Sequence, residues 1–553
     1  VNWNLSCPDW EQRLRSGRAP FSDLPIYAPE GDRAVAVFNK LRLADVPGTP
    51  TLADAGGDWF RAVVRALFGS LDPATRTRSI RELFLLVPKK NSKTTNGALL
   101  MLTALLLNQR PKAPFIMTAP VQDVADLAFS AVSGAIQLDP VLEAKLHVRE
   151  HLKTIIHRES KATLEIMTFD PSVLTGQKVV GALIDELHVC AKMGKAASAI
   201  RQLRGGMLPF PEAFLAFITT QSEDQPTGVF KDELDKARAI RDGERDGAML
   251  PVLYEFPRAM QQDREQWADP ANWPMVTPNA GRSISIDRLV EEMAVAKSTS
   301  EAELRAWASQ HLDIEIGLAL KGSGWVGAEH WEANAEPGLT LESLLARCEV
   351  VTIGIDGGGL DDLMAVAVLG RETETKRWLH WGKAWAHPIV LERRKEIASR
   401  LLDFEKDGDL TMVEESEQDI TEVADIVEQC EASGLLDCVG VDVHGIGPIV
   451  DAIMGRKIEF ERIVGISQGW QMVGAIKTAE RRLSDGTLRH AGQPIMAWAL
   501  GNAKPEPRGN ATIITKQTAG TAKIDPLLAL LNAVTLMARN PKPRRKKFQM
   551  FAI

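Results

Sequence analysis

The stretch Val179-Val180-Gly181-Ala182-Leu183-Ile184-Asp185-Glu186-Leu187-His188 decides how the rest of the sequence is read. Its first six residues are apolar or Gly, the composition of a strand buried on both faces of a parallel sheet, and the run stops at two adjacent carboxylates. Packing alone rarely ends a buried strand in Asp-Glu. If nucleotide phosphates lie beyond the strand end, Asp185 is placed to hold their Mg²⁺ and Glu186 to polarise the attacking water. The alternative is an N-capping Asp followed by a first-turn Glu, since acidic side chains favour helix N-termini. The neighbouring segments have to separate the two.

Upstream, Glu82-Leu83-Phe84-Leu85-Leu86-Val87 reads as a strand, Pro88-Lys89-Lys90-Asn91-Ser92-Lys93-Thr94-Thr95 as a loop, and Gly97 to Leu107 as a helix of small and apolar residues. Strand, loop and helix in that order cradle phosphates. Against G-x-x-x-x-G-K-[ST], Lys93 and Thr94 are kept, while Val87 and Ser92 stand at the two glycine positions. Amides at the helix start would face the phosphates, with Lys93 reaching the β/γ oxygens and the Thr94 hydroxyl ligating Mg²⁺. Lys89 and Lys90 can add positive charge from the front of the loop, so the nucleotide candidates are Lys89, Lys90, Ser92, Lys93, Thr94, Thr95 and Asp185. Alone, the loop reads more readily as a polar turn with solvated lysines. The acidic strand end about 90 residues later favours the nucleotide reading.

Phe115–Thr118, Thr163–Met167 and Phe214–Ile218 read as further strands, with a helix from Val121 to Ile136. Alternation of this kind predicts an α/β fold with an open parallel sheet and ligands at the carboxyl ends of its strands. Thr219, Thr220 and Gln221 follow Ile218 directly, where a γ-phosphate would be sensed. Arg201 and Arg204 are candidates for neutralising transition-state charge in a neighbouring subunit, against an ordinary place on a helix surface.

At 553 residues the chain exceeds one core, and its 45% apolar, 25% charged composition is that of a soluble globular protein of several units. The net charge of −8 gives no general basis for nucleic-acid binding, so basic surface must be local, as in the tail beginning Pro541-Lys542-Pro543-Arg544. Five cysteines without C-x-x-C spacing suggest neither a zinc site nor a disulfide framework, in keeping with a reducing cytoplasm. Gly97 to Leu107 is the longest apolar segment and is too short to span a bilayer, so no membrane role is expected. The organisation expected is an irregular arm over 1–58, a nucleotide-binding core over 59–255, a lid and linker over 256–330, a second α/β domain over 331–540 and a basic tail over 541–553. Within the lid, Trp267, Trp273 and Trp307 read as packing anchors, and Gly317 to Gly324 as the connection.

A second acidic constellation lies beyond Leu345. Val350-Val351-Thr352-Ile353-Gly354-Ile355-Asp356 and Cys438-Val439-Gly440-Val441-Asp442 are apolar strands that each deliver one carboxylate, and Asp525 opens a helix running to about Ala538. Leu363–Leu369 and Arg377–Trp385 are expected antiparallel partners, and Val390–Phe404 a helix. Three carboxylates from two strand ends and a helix start suit a two-metal nuclease, in which Mg²⁺ or Mn²⁺ ions about 3.5–4 Å apart activate water and stabilise the leaving oxygen. Asp361, Asp362 and His444 lie close in sequence and are read as structural or solvated.

Taken together these segments resemble the large terminase subunit of tailed bacteriophages. The resemblance runs from about Trp59 to Arg539 and rests on Val87 to Thr94, Ile184-Asp185-Glu186-Leu187-His188, Phe217-Ile218-Thr219-Thr220 and Gly354-Ile355-Asp356. Ser467-Gln468-Gly469, Leu488-Arg489-His490, Trp498 to Asn502 and Lys523-Ile524-Asp525 also match. It implies a P-loop ATPase of the additional-strand type, followed by a ribonuclease-H-like nuclease. The implied partners are double-stranded DNA, a portal protein, a small terminase subunit and sibling copies in a ring, pentameric by the family's habit, in the host bacterial cytoplasm and docked on the procapsid. By position, Lys93, Thr94, Asp185 and Glu186 take the nucleotide roles, and Asp356, Asp442 and Asp525 the metal-carboxylate roles. Two departures stand out: Ser92 replaces the family's usual Gly, and no adenine-contacting Gln stands near Trp59-Phe60-Arg61.

Overall fold

A computed structural model describes residues 3–316, 325–415, 417–442, 447–503, 505–508, 511–514 and 523–544. The chain forms two compact units, Val1–Ile316 and Gly317–Ile553. The Gly317–Gly324 connection, His444 and the tail beyond Arg544 lie outside the described residues.

The first unit is built on eight strands: β1 (Glu82–Leu86), β2 (Pro114–Ala119), β3 (Leu146–Arg149), β4 (Thr154–His157), β5 (Thr163–Thr168), β6 (Gly181–Asp185), β7 (Phe214–Thr219) and β8 (Met249–Leu253). Their order is β3-β4-β5-β2-β6-β7-β1-β8. All neighbours are parallel except at the edge, where β3, β4 and β5 run antiparallel. Every residue of β6 and β7 is buried, which explains why these segments are apolar throughout rather than alternating. β7 lies between β1 and β6, the inserted strand of an additional-strand ATPase sheet. Register then fixes the site: Leu86 pairs with Thr219, and Ile218 with Asp185. The loop after β1, the acidic pair after β6 and the threonines of β7 therefore emerge at one edge.

The helix Lys93–Leu107 begins four residues before the expected Gly97, because Lys93 already has helical geometry. It is apolar on every side because it is buried between the sheet and other helices. Gly97 permits the close approach: a Cβ there would lie 2.7 Å from Ile218 Cδ1 and 3.1 Å from Leu183 Cδ1. The β3–β4 hairpin and β8 were not apparent in the sequence. β8 contains Pro251, which is tolerated because the strand is at the sheet edge and pairs only with β1. Residues 256–313 are helical as expected, and Trp267 and Trp273 are fully buried, with the Trp273 and Trp307 rings 5.4 Å apart.

The second unit holds β9 (Cys348–Gly357), β10 (Leu363–Glu372), β11 (Trp378–Ala386), β12 (Leu410–Met412), β13 (Leu436–Asp442), β14 (Ile463–Ile466) and β15 (Leu488–His490). The order is β12-β11-β10-β9-β13-β14, with β15 paired to β11. β9, β10 and β11 form an antiparallel meander, whereas β13 joins β9 in parallel and β14 follows it in parallel. The expected helix over 390–404 is two, Ile389–Arg393 and Lys395–Lys406, interrupted at Arg394 where the backbone leaves the helical region.

The terminal helix Asp525–Met537 crosses β9 at backbone contact. A Cβ on Gly354 would lie 2.0 Å from the Ala529 carbonyl, so only glycine fits. Thr352 Oγ1 donates to the Ala533 carbonyl at 3.0 Å and Asn532 Nδ2 to the Ile355 carbonyl at 2.8 Å. The helix thus descends in number as β9 ascends, and its N-terminal Asp525 comes to the end of the sheet that carries Asp356. Asp356 shares the strand face of Thr352 and Gly354, the face that this helix covers.

Candidate functional site

At the sheet edge of the first unit, the loop after β1 turns on two left-handed residues, Lys90 (φ +69°) and Ser92 (φ +57°). Such turns swing successive amides to one side, the concavity that cradles anions. Val87 continues β1, its N–H donating to the Thr219 carbonyl at 3.1 Å, so the glycine of the consensus is not required there. Lys93 is 5% exposed and its Nζ lies 2.9 Å from Glu186 Oε1. Thr94 Oγ1 donates to Asp185 Oδ2 at 2.6 Å, and the Glu186 N–H donates to Asp185 Oδ1 at 2.9 Å. The two halves of the expected site, some 90 residues apart in sequence, are in direct contact.

The two carboxylates are set apart electrostatically. Burial, then the neighbouring Glu186 charge, pushes the Asp185 carboxyl up to about 7. Burial also acts to raise Glu186, but the Lys93 ammonium, by charge and by hydrogen bond, outweighs it and holds that carboxyl below its ordinary value. Glu186 itself is left-handed at φ +50°, which turns its side chain back toward Lys93. The Thr94 and Asp185 oxygens form the hard-oxygen pair that Mg²⁺ prefers, beside a cationic Lys93, so these residues fit a nucleotide-bound cation.

Three residues without a sequence-based role, His188, Gln310 and Asp313, complete the surroundings. His188 is 8% exposed, and its Nδ1 lies 3.1 Å from Thr219 Oγ1 and 3.4 Å from Glu186 Oε2. Burial depresses this imidazole to about 4, so it is neutral near pH 7. Thr220 Oγ1 donates to Glu186 Oε2 at 3.3 Å. The Gln221 N–H donates to Asp313 Oδ1 at 2.8 Å, and Gln310 Nε2 donates to the Gln221 carbonyl at 3.0 Å. Lys89 N–H donates to the Gln310 carbonyl at 2.8 Å, so helix Glu301–Leu312 and the residue after it join the loop to the β7 end. Asp313 is fully buried, and burial pushes its carboxyl well above the ordinary range.

Other candidates lie further out. Lys90 is exposed, Thr95 is half-buried, and Lys89 Nζ pairs loosely with Glu223 at 3.7 Å. Arg204 is not at this site. Its guanidinium is gripped by Glu82 and Glu233 at 2.7–2.9 Å and lies 5.6 Å from the centre of the Phe217 ring. Glu82 opens β1, so Arg204 sits roughly 15 Å along the strand from the phosphate loop, at the opposite edge of the sheet. Arg201, one turn earlier on the same helix, is exposed.

In the second unit, Asp356 is the last residue but one of β9 and Asp442 ends the adjacent parallel β13, where Val441 pairs with Ile355. Gln468, just past β14, bridges them: its Nε2 donates to Asp356 Oδ1 at 2.5 Å and to Asp442 Oδ2 at 2.8 Å. Asp525 is fully buried at the start of the terminal helix. Lys523 Nζ contacts the Asp361 carbonyl and Asp362 Oδ1, both at 2.8 Å. Asp361 and Asp362 therefore anchor a lysine, the structural place expected of them. Among the described residues no three His, Cys, Asp or Glu side chains are drawn together around one point as a metal site is. The Asp356–Asp442 pair instead shares an uncharged amide, and so keeps the negative potential and oxygen donors that suit a hard divalent cation.

Two family models cover nearly all of this architecture. The model for the terminase large subunit, ATPase domain, matches residues 58–239, and that for the terminase large subunit, endonuclease domain, matches residues 252–540. The chain belongs to the terminase large subunit family. The ATPase model lies wholly within the first unit, whereas the endonuclease model begins at residue 252, inside the first unit, and runs through most of the second. A curated relative, Protein YmfN of Escherichia coli (strain K12), is 22% identical over 284 residues, which are 49% of this chain and 60% of that protein. Among solved structures, the HK97 bacteriophage large terminase is similar at 18% identity and a TM-score of 0.47, over 92% of this chain and 99% of that one. The large terminase of a thermophilic bacteriophage in complex with ADP is 12% identical with a TM-score of 0.28, over 84% and 96% of the two chains. The large terminase nuclease of thermophilic phage G20c with bound magnesium is 12% identical with a TM-score of 0.23, over 34% and 80%. No helix among the described residues is long and apolar enough to cross a membrane.

Proposed function

We propose that this chain hydrolyses ATP in its first unit to drive double-stranded viral DNA into a procapsid, and cuts concatemeric DNA with Mg²⁺ or Mn²⁺ in its second. The observation that carries the reading is the meeting of Lys93 and Thr94 with Glu186 and Asp185 at one sheet edge, in a chain of the terminase large subunit family. The assignment is Lys93 for the β/γ-phosphates, Thr94 and Asp185 for the nucleotide's Mg²⁺, and Glu186 for the attacking water. Lys89, Lys90, Ser92 and Thr95 line the approach, and Thr220 reports the state of Glu186. When bound, the cation neutralises phosphate charge. The Lys93 ammonium is paired with Glu186. Incoming phosphate oxygens compete for that ammonium, and a Glu186 carboxylate released from it can accept a proton from water. The ion pair is thus a resting lock that substrate opens.

In the second unit, Asp356, Asp442 and Asp525 are the residues proposed to hold the nuclease cations, with Gln468 swinging aside when they enter. The partners proposed are a portal protein, a small terminase subunit and further copies of this chain in a pentameric ring, acting in the host bacterial cytoplasm while docked on the procapsid. The working division is an arm (1–58), an ATPase core (59–255), a lid and linker (256–330), a nuclease domain (331–540) and a basic tail (541–553). Paired assays of ATP turnover and DNA cleavage test the reading. ATP turnover that survives Glu186→Gln unchanged overturns the motor assignment, and Mn²⁺-dependent cleavage unaffected by Asp356→Ala overturns the nuclease assignment.

A further inference from the structure

The phosphate loop asks non-glycine residues to hold backbone angles that glycine holds without cost. Lys90 and Ser92 both have positive φ, where a Cβ crowds the neighbouring carbonyl. Ser92 is the residue immediately before helix Lys93–Leu107 and makes no side-chain cap to it. Something outside the loop must hold it. Two residues of the lid do so, Asn279 and Ser283, nearly 190 residues further along the chain. The Asn279 N–H donates to Asn91 Oδ1 at 3.0 Å, and its Nδ2 donates to Ser92 Oγ at 3.3 Å and to Ser283 Oγ at 2.6 Å. Ser283 Oγ in turn donates to the Lys90 carbonyl at 2.5 Å. Each of the three loop residues 90, 91 and 92 is therefore held from the lid. Asn279 is 4% exposed, and its Oδ1 accepts from Trp59 Nε1 at 3.2 Å, which fixes the amide's orientation. Asn91 is fully buried and ties back to the Pro88 carbonyl at 3.1 Å.

We infer that Asn279 is a positioning residue for ATP: with Ser283 it holds the glycine-poor phosphate loop in its anion-cradling turns, a task that a glycine at position 92 performs in a consensus loop. The inference rests on the reading of this loop as the nucleotide site. It makes the shape of the phosphate loop depend on the seating of the lid, so that ATP affinity and lid position are linked. Sequence motifs for the loop miss this dependence because they stop at Thr94.

The test is a double-mutant cycle on the full chain, read by steady-state ATP turnover, nucleotide titration and thermal unfolding. Asn279→Ala raises KM for ATP about tenfold with kcat within about twofold, the loss expected for one buried hydrogen-bond cluster that acts before chemistry. Ser92→Gly relieves the backbone cost, and Asn279→Ala made in that background raises KM by no more than about twofold. Ser283→Ala gives a smaller rise, about threefold, that Ser92→Gly also removes. If Asn279→Ala does not fold, the Ser283→Ala and Ser92→Gly pair decides in the same way. A rise in KM that Ser92→Gly does not diminish, or a KM unchanged by Asn279→Ala, overturns the inference and leaves the nucleotide site itself standing. Failure of the wild-type chain to bind ATP overturns both.

Discussion

In the first unit the strand-end carboxylates face a lysine and hydroxyls of their own chain, whereas in the second Asp356 and Asp442 are bridged by the neutral amide of Gln468. The first arrangement carries its own counter-charge in Lys93. In the second, one neutral amide donates to both carboxylates, whose oxygens are of the kind a divalent cation prefers. Two parallel strand ends serve both sites; on the proposed reading, substrate phosphate displaces a lysine at the first and metal enters at the second. That difference can be broken or sharpened by removing one group at a time.

The largest effect is expected at Glu186. Glu186→Gln keeps the shape and the Thr220 contact but cannot accept a proton, so ATP turnover falls by roughly 10²–10⁴-fold while nucleotide still binds. DNA cleavage in Mn²⁺ is unchanged by the same substitution and is abolished by Asp356→Ala, which leaves ATP turnover intact. Loss of both activities in either variant would show that the two sites do not work as separate centres.

Acid separates the units next. In the second unit His380 and His490 are buried against Trp331, whose ring stacks on His490 at 3.7 Å. Burial depresses His380 to about 3 and His490 to about 4. Unfolding restores each to its ordinary 6.5, so the unfolded state takes up more protons throughout the window between those values. The histidines' contribution to this unit is therefore full above pH 6.5 and is lost as pH falls toward 4, at about 1.4 kcal/mol per pH unit for each, opposed by the buried Asp409, whose carboxyl burial raises. In the first unit the contributions oppose. His188 follows the same sign, but the raised Asp185 stabilises the fold at low pH and loses that contribution as pH rises from 3.8 to about 7. Calorimetry between pH 7 and 5 should show the second unit's transition falling faster. Equal shifts in both transitions would contradict it.

How much of this was open to sequence follows from chain distance. β6, β7 and the acidic pair were legible because a strand buried on both faces is apolar along a short continuous run, and its chemistry sits at its last residue. The helix that delivers Asp525 was legible for the same reason. What escaped depends on partners that no local pattern records. Nothing around Arg204 announces Glu82, 122 residues earlier, so its half-buried place in an ion-pair cluster was not legible. Asp313 reaches Gln221 across 92 residues, and Asn279 reaches Asn91 across 188. β8 carries Pro251, which an interior strand would exclude, and its edge position makes that strand permissible. Gln468 stood inside a matching motif, but its place between two aspartates needed the parallel pairing of β13 and β14.

A smaller effect tests the second site directly. Gln468→Ala removes the donor shared by Asp356 and Asp442, and the metal-free second unit loses about 1–3 kcal/mol because two carboxylate oxygens lose their amide. Mg²⁺ or Mn²⁺ then raises the unfolding temperature of the variant more than that of the wild type, since the cation no longer competes with the amide. An equal metal response in both proteins would mean that Gln468 does not stand in the cation's place.

The smallest effect is expected where a carboxylate has several partners rather than one. Thr220→Val preserves volume and removes a 3.3 Å hydrogen bond to Glu186 Oε2, but Lys93 remains 2.9 Å from the other oxygen and His188 3.4 Å from the same one. Loss of one long hydrogen bond from a carboxylate that keeps its ion pair is worth about 1 kcal/mol, or roughly fivefold. If, as proposed, Lys93 turns to phosphate when ATP binds, the Thr220 contact gains weight in the loaded state, so the loss falls on kcat while KM for ATP stays within about twofold. A KM effect larger than the kcat effect would place Thr220 in nucleotide binding instead. It would also mean that the counter-charge of this site is less complete than the Lys93 contact implies, which would bring the ATPase site closer in kind to the amide-bridged site of the second unit.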